Sequence, residues 1–460
     1  MNERLLDALE EISDRYIYEA ATPKKRKTRL LIRVAAAVVA VVLLLGFLGP
    51  DQTATATQML VSPATVREAK WPTSSDYPDE DDRAAAREEY KRRDKLIQDS
   101  MTGLSDFWED AFREYLSGKE NEIWSPVNLY LSLAMVAQTA SGGTRQEILD
   151  TINAGSMEDL QSTVRALWET VTKTDPMATR RLAASVWLDD SLEYHKEALA
   201  ALGTDHYASV YRTNLNSPEA IDAIGEWIRK QTNGMLDPTP PAEPDGVRIL
   251  ELVSTLYLDE GWMETFDPAA NREGVFHAPG GDVTCTYMNG LKELGDYARG
   301  ADYTAVSLPT WGESKLWLIL PDEGTTPTKL LRTGDYLDTV LLGEGVQDQL
   351  FRLTMPKFDF SYSLDLSDGL KKLGVRKAFS RFGGDFSETL SLDSPIWVGS
   401  VRQSARIIVD EYGVRCASAT ESDLIAMGIR EPIKVVIDRP FLFVLITHGI
   451  PLFAGVVTNP

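Results

Sequence analysis

The chain is predicted to be an α+β protein whose helices come mainly before its strands. Apolar residues recur at helical spacing in 104–116, 128–140 and 216–236. Runs rich in branched and aromatic residues, which are typical of β-strands, dominate from residue 248 onwards. These runs are 248–258, 303–311, 314–321, 350–358, 404–412, 433–438, 441–448 and 452–458. Because helices and strands do not alternate regularly, we expect largely antiparallel or mixed sheets.

The helix predicted over 128–140 has the clearest boundaries of the three. Ser125 and Pro126 precede it, and Gly142 with Gly143 ends its apolar run. The chain has 460 residues, of which 43% are hydrophobic, so it can bury a large core.

The charge of the chain argues against binding to nucleic acid. Its net charge is −22, whereas nucleic acid needs a surface of Lys and Arg. The only two cysteines, Cys285 and Cys416, are too few for a disulfide framework.

A basic cluster and an apolar run near the N-terminus predict a membrane anchor. Residues 24–33 are mostly Lys and Arg, and residues 30–49 could form about 30 Å of apolar helix. We therefore predict a transmembrane signal-anchor at 34–49, with residues 1–33 as a cytoplasmic amphipathic and basic segment. This places the protein in the cell membrane as a single-pass protein with its larger part extracellular. The alternative is a cleaved signal peptide with a site at 54–56.

Two further segments complete the predicted organisation. Residues 50–96 are polar and dense in charge, and they are interpreted as an extracytoplasmic stalk that is helical near its end. Residues 97–460 carry the periodic segments without an intervening linker, so they are interpreted as one domain.

The motifs of common enzymes are absent from the sequence. It has no G-x-S-x-G elbow, Walker loop or G-x-G-x-x-G segment, and no histidine pair has metal-ligand spacing. The four histidines are His195, His206, His277 and His448. We therefore predict that the chain is not an enzyme and uses no cofactor and no metal.

Several segments of the sequence resemble the serpin family. VVIDRPFLFVL (435–445), followed by GIPLFAGVVTNP, is similar to the C-terminal signature of serpins, and WSPVNLYLSLAMVAQTASGGTRQEI (124–148) and LVSTLYLDEGW (252–262) have serpin counterparts in the same order. The resemblance covers 97–460. It implies helices packed around three mixed or antiparallel β-sheets, with an exposed reactive-centre loop.

The resemblance also implies the site and the mechanism. Serpins act as suicide substrates: a protease cleaves the loop, an acyl-enzyme forms, and the loop inserts into the main sheet as a strand. The hinge and inserting loop would be Glu411, Gly413, Val414, Arg415, Cys416, Ala417, Ser418, Ala419 and Thr420. The shutter and breach, where the sheet opens, would include Ser125, Asn128, Gln403 and Trp262, with Asn128 and Gln403 in place of the usual Ser and His.

The residues of the loop independently favour insertion. From Val414 to Ala426 every even position is uncharged and most are small, whereas all three charges of the segment fall at odd positions. Such segregation with a period of two is typical of a strand with one inward and one outward face. Val414 and Cys416 depart from the usual Thr and Ala, and Arg415 from the usual Glu, but none of the three should block insertion.

The position of the scissile bond depends on how the loop is counted. Fourteen residues after Gly413 is Met427, which gives the bond Met427–Gly428 and suits an elastase-, chymotrypsin- or subtilisin-like protease. Counting back from the C-terminal motif gives Ile429–Arg430. A bond at Arg430–Glu431 would suit a trypsin-like protease, but it lengthens the inserting segment by three residues, about 10 Å.

The sequence therefore predicts an inhibitor of extracellular serine proteases that forms a covalent complex with its target. The alternative is a non-inhibitory serpin-fold binding protein at the surface. We expect a monomer, with the membrane contacted only through residues 34–49. For Cys416, in the moving segment, the favoured interpretation is a purely structural role, and the alternative is a free thiol that makes inhibition sensitive to oxidation.

Overall fold

The structure is a computed structural model. It describes residues 57–68, 77–236, 248–347, 349–390, 396–399, 401–414 and 431–460, and only the backbone of 98–103. The predicted segments 1–33 and 34–49 lie outside the described residues.

The described helices are concentrated in the first half of the domain. They are α1 (Glu80–Tyr115), α2 (Pro126–Thr139), α3 (Gly142–Thr151), α4 (Met157–Val171), α5 (Lys196–Asp205), α6 (Pro218–Gln231), α7 (Pro327–Thr333) and α8 (Ser367–Leu373). Three short helical turns, Pro268–Ala270, Asp338–Leu342 and Lys377–Phe379, lie between strands.

The described strands fall into three sheets. Sheet A contains β1 (Gln58–Val61), β3 (Lys173–Asp175), β4 (Ala178–Asp189), β5 (Ala208–Thr213), β6 (Leu250–Gly261), β13 (Phe358–Asp365), β14 (Arg402–Val409) and β15 (Gly413–Val414). Sheet B contains β2 (Glu122–Trp124), β9 (Tyr297–Arg299), β10 (Tyr303–Pro309), β11 (Ser314–Pro321), β17 (Phe441–Thr447) and β18 (Ile450–Val457). Sheet C contains β7 (Arg272–Ala278), β8 (Gly281–Lys292), β12 (Phe351–Pro356) and β16 (Ile433–Val436).

The order of strands confirms the predicted α+β class with mixed and antiparallel sheets. Sheet A runs β1-β5-β4-β6-β15-β14-β13, with β3 paired to β4, and only the β4–β5 pair in it is parallel. Sheet B runs β2-β18-β17-β11-β10-β9 and is antiparallel throughout. In sheet C, β12 is parallel to β16 and antiparallel to β8.

Helix α2 is buried along almost its whole length between the sheets. The Ser125 hydroxyl caps it by accepting from the Asn128 backbone N–H, and Pro126 occupies its first turn, where the missing N–H costs nothing. All but one of its fourteen residues are buried. A helix that is apolar on every side is stable only in the interior of a large domain, which is where α2 lies.

Helix α1 begins well before the predicted helix of 104–116. Its first half lacks an apolar period, but oppositely charged side chains follow one another at a spacing of three or four residues. Lys91 lies 3.1 Å from Glu88, and Arg92 lies 2.9 Å from Glu89. Such pairs support a helix without contributing an apolar face, so the sequence period could not show where α1 starts.

Strand β1 lies within the segment predicted as a stalk. It pairs with the outer edge of β5, and the Ala64 N–H donates to the Gly203 carbonyl at 2.9 Å. A Cβ on Gly203 would lie 2.5 Å from Val61, so glycine permits this close approach. The boundary between stalk and domain at residue 97 stays a prediction.

Candidate functional site

The candidate site is the hinge at one end of sheet A, where β15 lies between β6 and β14. Gly413 pairs with Gly261 and Val414 with Glu260 on one side, and Val414 pairs with Val409 on the other. Val414 is buried. A Cβ on Gly413 would lie 2.2 Å from the Glu260 carbonyl oxygen, so only glycine allows the two backbones to meet this closely.

A tight turn leads from β14 into the hinge. The Asp410 carboxylate accepts from the backbone N–H of Tyr412 at 2.8 Å and of Gly413 at 3.3 Å. The Asp410 N–H in turn donates to the Gly413 carbonyl at 3.2 Å. This turn is of the kind that Asp favours, because its short side chain replaces a backbone acceptor.

Trp262, the predicted breach residue, is buried beside this turn. Its indole Nε1–H donates to the Asp410 carbonyl at 2.9 Å, and its backbone N–H donates to the Tyr412 carbonyl at 2.9 Å. The Phe266 N–H donates to the Glu411 carbonyl at 2.9 Å. Three consecutive carbonyls before Gly413 are therefore held by the segment that follows β6.

Glu411 carries a buried carboxylate that is paired with Lys357. The carboxylate accepts hydrogen bonds from Lys357 and from the Asn271 amide. Burial alone would raise the pKa of Glu411, but these two hydrogen bonds and the Lys357 charge outweigh it, and its pKa lies below the ordinary value. The sequence predictions did not include Lys357 and Asn271. No local pattern marks them, because they reach Glu411 from distant parts of the chain.

The predicted shutter residues divide into one bonded pair and one separate residue. The Ser125 backbone N–H donates to the Gln403 side-chain oxygen at 2.6 Å, and the Gln403 side-chain amide donates to the Ser125 carbonyl at 3.0 Å. The Ser125 hydroxyl donates to the Leu452 carbonyl at 2.6 Å. Gln403 of β14 thus fastens to the start of α2 through backbone groups rather than through the Asn128 side chain.

Asn128 faces a small cavity beneath β4 and β6 instead. The cavity is also lined by His206 and Ser254. The Asn128 Oδ1 and the His206 Nδ1 are both buried without a hydrogen-bond partner. The other ring nitrogen of His206 lies 3.3 Å from the Gln138 amide oxygen. Burial lowers the pKa of His206 to about 4, so the ring is neutral at physiological pH.

The remaining predicted site residues cannot be placed. Arg415, Cys416, Ala417, Ser418, Ala419, Thr420, Met427 and Gly428 lie outside the described residues. The hinge therefore stands on Glu411, Gly413 and Val414, together with the shutter and breach residues, all of which the structure describes.

This arrangement can be compared with known proteins. The sequence profile of the family described as Serpin (serine protease inhibitor) matches residues 103–460. The chain belongs to the serpin family. It is 28% identical over 370 residues to Serpin-ZX of Arabidopsis thaliana, covering 75% of this chain and 93% of the relative, and 28% identical over 371 residues to Serpin-Z1C of Triticum aestivum, covering 75% and 91%.

Solved structures confirm the fold. The native state of Tengpin, a thermophilic serpin, superposes with a TM-score of 0.73 at 22% identity, covering 88% of this chain and all of that one. Human thyroxine-binding globulin complexed with thyroxine superposes with a TM-score of 0.69 at 20% identity, covering 79% and 99%. The predicted serpin fold with three sheets is therefore confirmed.

The predicted cell-membrane location, with a cytoplasmic N-terminus and an extracellular domain, is wrong. The plant serpins match over more than nine-tenths of their own length, so little of their sequence is left that could correspond to a membrane segment. In the part of the chain that the structure describes, no helix is long and apolar enough to cross a bilayer. Residues 34–49, on which the prediction rested, lie outside that part.

Proposed function

We propose that the chain is a suicide-substrate inhibitor of serine proteases and not an enzyme. The observation that carries the proposal is β15, a two-residue strand between β6 and β14 at the start of the predicted loop. Gly413 and Val414 are positioned as the first residues of an inserted strand. Insertion would extend β15 along both neighbours.

If the pairing register of β15 is continued past Val414, it supports the prediction that the even-numbered residues of the loop face inward. Each residue added after Val414 moves one residue back along β6 and along β14. Cys416 would then lie between Leu258 and Ile407, both of which are buried. The next even residue, Ser418, would lie between Leu256 and Ala405, which are also buried. Small uncharged side chains are what such a filled interior accepts.

The same register brings opposite charges together on the outward face. Arg415 would lie beside Asp259 of β6, and Glu421 beside Arg402 of β14. Cross-strand pairs of opposite charge favour pairing in that register. Asp423 would face Glu251 near the first residue of β6, so the complementary stretch runs from Arg415 to Glu421.

The proposed scissile bond is Met427–Gly428, with an elastase-, chymotrypsin- or subtilisin-like protease as the partner in a covalent complex. The fold alone does not decide between inhibition and binding, since thyroxine-binding globulin shares it. What favours inhibition is the uncharged and mostly small set of side chains at the even positions from Val414 to Ala426, and the way in which β15 already pairs on both sides.

The test is to incubate the full chain with subtilisin, elastase and trypsin and to separate the products on a denaturing gel. The proposal predicts an SDS-stable band at the summed mass and a released peptide that begins at Gly428. A released peptide that begins at Arg430 or Glu431 would instead assign the scissile bond to Ile429–Arg430 or to Arg430–Glu431. Cleavage in the loop without any stable complex would show a non-inhibitory serpin.

A further inference from the structure

Arg180 and Glu260 form an ion pair that is excluded from solvent at the hinge end of sheet A. Arg180 Nη1 lies 2.7 Å from Glu260 Oε1, and the side chains are 1% and 0% exposed. Arg180 lies on β4 opposite Leu258, so it lies on the same face of the sheet as Glu260, two residues further along β6. Burying two charges is unfavourable unless further hydrogen bonds compensate both.

The surrounding groups supply those hydrogen bonds from two other segments. Arg180 donates to the carbonyls of Val171 at 2.7 Å and of Gly312 at 2.6 Å, and to the Ser314 hydroxyl at 2.7 Å. The second carboxylate oxygen of Glu260 accepts from the Thr310 hydroxyl at 2.5 Å. The pair therefore links β4 and β6 of sheet A to the end of α4 and to the β10–β11 hairpin of sheet B.

The hairpin is seated directly on the Glu260 carboxylate. A Cβ on Gly312 would lie 2.2 Å from Glu260 Oε1, so a larger residue would displace one or the other. On the neighbouring backbone, the Trp311 N–H donates to the Gly261 carbonyl at 2.9 Å, and Trp262 forms a bridge with Thr310. Both the side chain of Glu260 and the backbone that follows it are thus fixed to sheet B.

The backbone of Glu260 is also the partner of the hinge. Val414 pairs with Glu260, and Gly413 approaches the Glu260 carbonyl so closely that a Cβ would not fit. The residue whose side chain is locked in the buried network is therefore the residue against which the hinge pairs.

We infer that Arg180 and Glu260 are positioning residues for loop insertion. They fix the position of the end of β6 against sheet B. The residues that enter the sheet after Val414 can therefore pair with a strand whose backbone does not move. The inference rests on the proposed inhibitory function. An apolar pair of similar volume could fill the same space, but its contacts have no direction and would leave the Gly312 carbonyl and the Thr310 hydroxyl without these partners.

The first test separates positioning from stability. The variants are R180M/E260M, which removes both charges together, and R299M/D322N, which removes a bidentate pair with distances of 2.5 and 2.6 Å at the far end of sheet B. Each variant is assayed with a protease that the wild type traps. The assay temperature is set at the same number of degrees below the Tm of each variant, so that differences in stability do not affect the comparison. We expect the protease stoichiometry of inhibition to rise at least about threefold in R180M/E260M and to stay at the wild-type value in R299M/D322N.

The second test needs no protease. Hydrogen exchange of the full chain should be faster in R180M/E260M at the amides of Trp262 and Phe266, which donate to the Tyr412 and Glu411 carbonyls and so join the segment after β6 to the hinge turn. R299M/D322N should leave these amides unchanged.

The two readouts distinguish the inference from the proposed function. If the wild type traps no protease but exchange at the hinge rises in R180M/E260M, the positioning role stands and the inhibitory function fails. If R180M/E260M keeps the wild-type exchange at the hinge, or if the wild type traps protease and R180M/E260M traps it equally well, the positioning role is overturned and the pair serves stability alone.

Discussion

The β17–β18 hairpin of sheet B and the hinge end of sheet A are stabilised by different forces. Every residue of β17 and β18 is buried, and nearly all are aliphatic or aromatic. The hinge end instead contains the buried ion pair Arg180–Glu260, a second pair in which the buried Glu411 carboxylate meets the partly exposed Lys357, and a series of hydrogen bonds to consecutive carbonyls.

The difference corresponds to what each region has to do. Apolar burial has no direction and is lost only when the region unfolds. Directional hydrogen bonds and ion pairs can specify one register and one entry point for a strand. We therefore expect changes in the hairpin to alter stability, and changes at the hinge to alter the outcome of the reaction with a protease.

Two glycines provide the strongest contrast. A Cβ on Gly455 of β18 would lie 2.1 Å from the Glu122 carbonyl oxygen and 2.5 Å from Phe443. Gly455→Ala should destabilise the protein by about 3 kcal/mol or more, because the overpacked core cannot relax without moving backbone. Thermal unfolding of the full chain measures this loss.

In Gly413→Ala the new Cβ would lie 2.2 Å from the Glu260 carbonyl oxygen, a similarly short contact, but at the hinge. The substitution should abolish trapping of the protease while lowering Tm less than Gly455→Ala does, because β15 is only two residues long. Equal losses of Tm in the two variants, with trapping retained in Gly413→Ala, would contradict the comparison.

The alternation of inward and outward side chains along the loop predicts the next largest effect, which is on inhibition. Ser418→Glu places a charge on the inward face, between Leu256 and Ala405, and should convert the inhibitor into a substrate. Ala419→Glu places the same charge on the outward face and should keep most of the inhibition. The ratio of complex to cleaved chain on a denaturing gel measures both, and a reversed order would refute the predicted register.

Removing the partner of Glu411 should have a smaller effect that depends on pH. The pKa of Glu411 is lowered in the folded state, so its contribution to stability is present above about pH 4.5 and is lost as the pH falls through the folded value. Lys357→Met should cost about 1 to 3 kcal/mol at pH 7, because the carboxylate stays buried without its cation. The cost should shrink as the pH falls from about 4.5 through the folded pKa, below which the carboxyl is protonated in both states. Urea unfolding at pH 7 and at successively lower pH distinguishes this from a loss that does not depend on pH.

The buried His206 should produce an effect of similar size to that of Lys357→Met, and it arises from burial of a neutral ring rather than from an ion pair. Its pKa is lowered to about 4 in the folded state, so the unfolded chain binds a proton first as the pH falls. Between pH 7 and pH 5 this should remove about 2 kcal/mol of stability. His206→Gln should show a flatter pH dependence over that interval. A variant that loses stability with the wild-type slope would exclude His206 as the cause.

Much of this architecture could be predicted from the sequence, because apolar pattern is a local property. The strands of sheet B were expected at 441–448 and 452–458 and are found at Phe441–Thr447 and Ile450–Val457. The buried helix α2 was located from Ser125, Pro126 and its apolar run. The glycine of the hinge and the breach tryptophan were identified by family resemblance.

The polar contacts of the hinge could not be predicted in the same way. Arg180 meets Glu260 across 80 residues. Lys357, just before β13, meets Glu411, just after the neighbouring strand β14. A charged residue in a strand is usually on the solvated face, so pattern alone assigns such residues to the surface. The pairing of β4 with β6 and the packing of the β10–β11 hairpin against them bring Arg180 and Glu260 together in the interior, whereas the pairing of β13 with β14 brings Lys357 to Glu411.

The central claim is that the chain after Val414 can enter sheet A between β6 and β14. The most direct measurement is the Tm of the full chain before and after a single cleavage between residues 415 and 430. Insertion would complete the sheet with a new central strand, so the cleaved protein should unfold at a markedly higher temperature than the intact one. An unchanged or lower Tm after cleavage would contradict insertion, and with it the inhibitory mechanism.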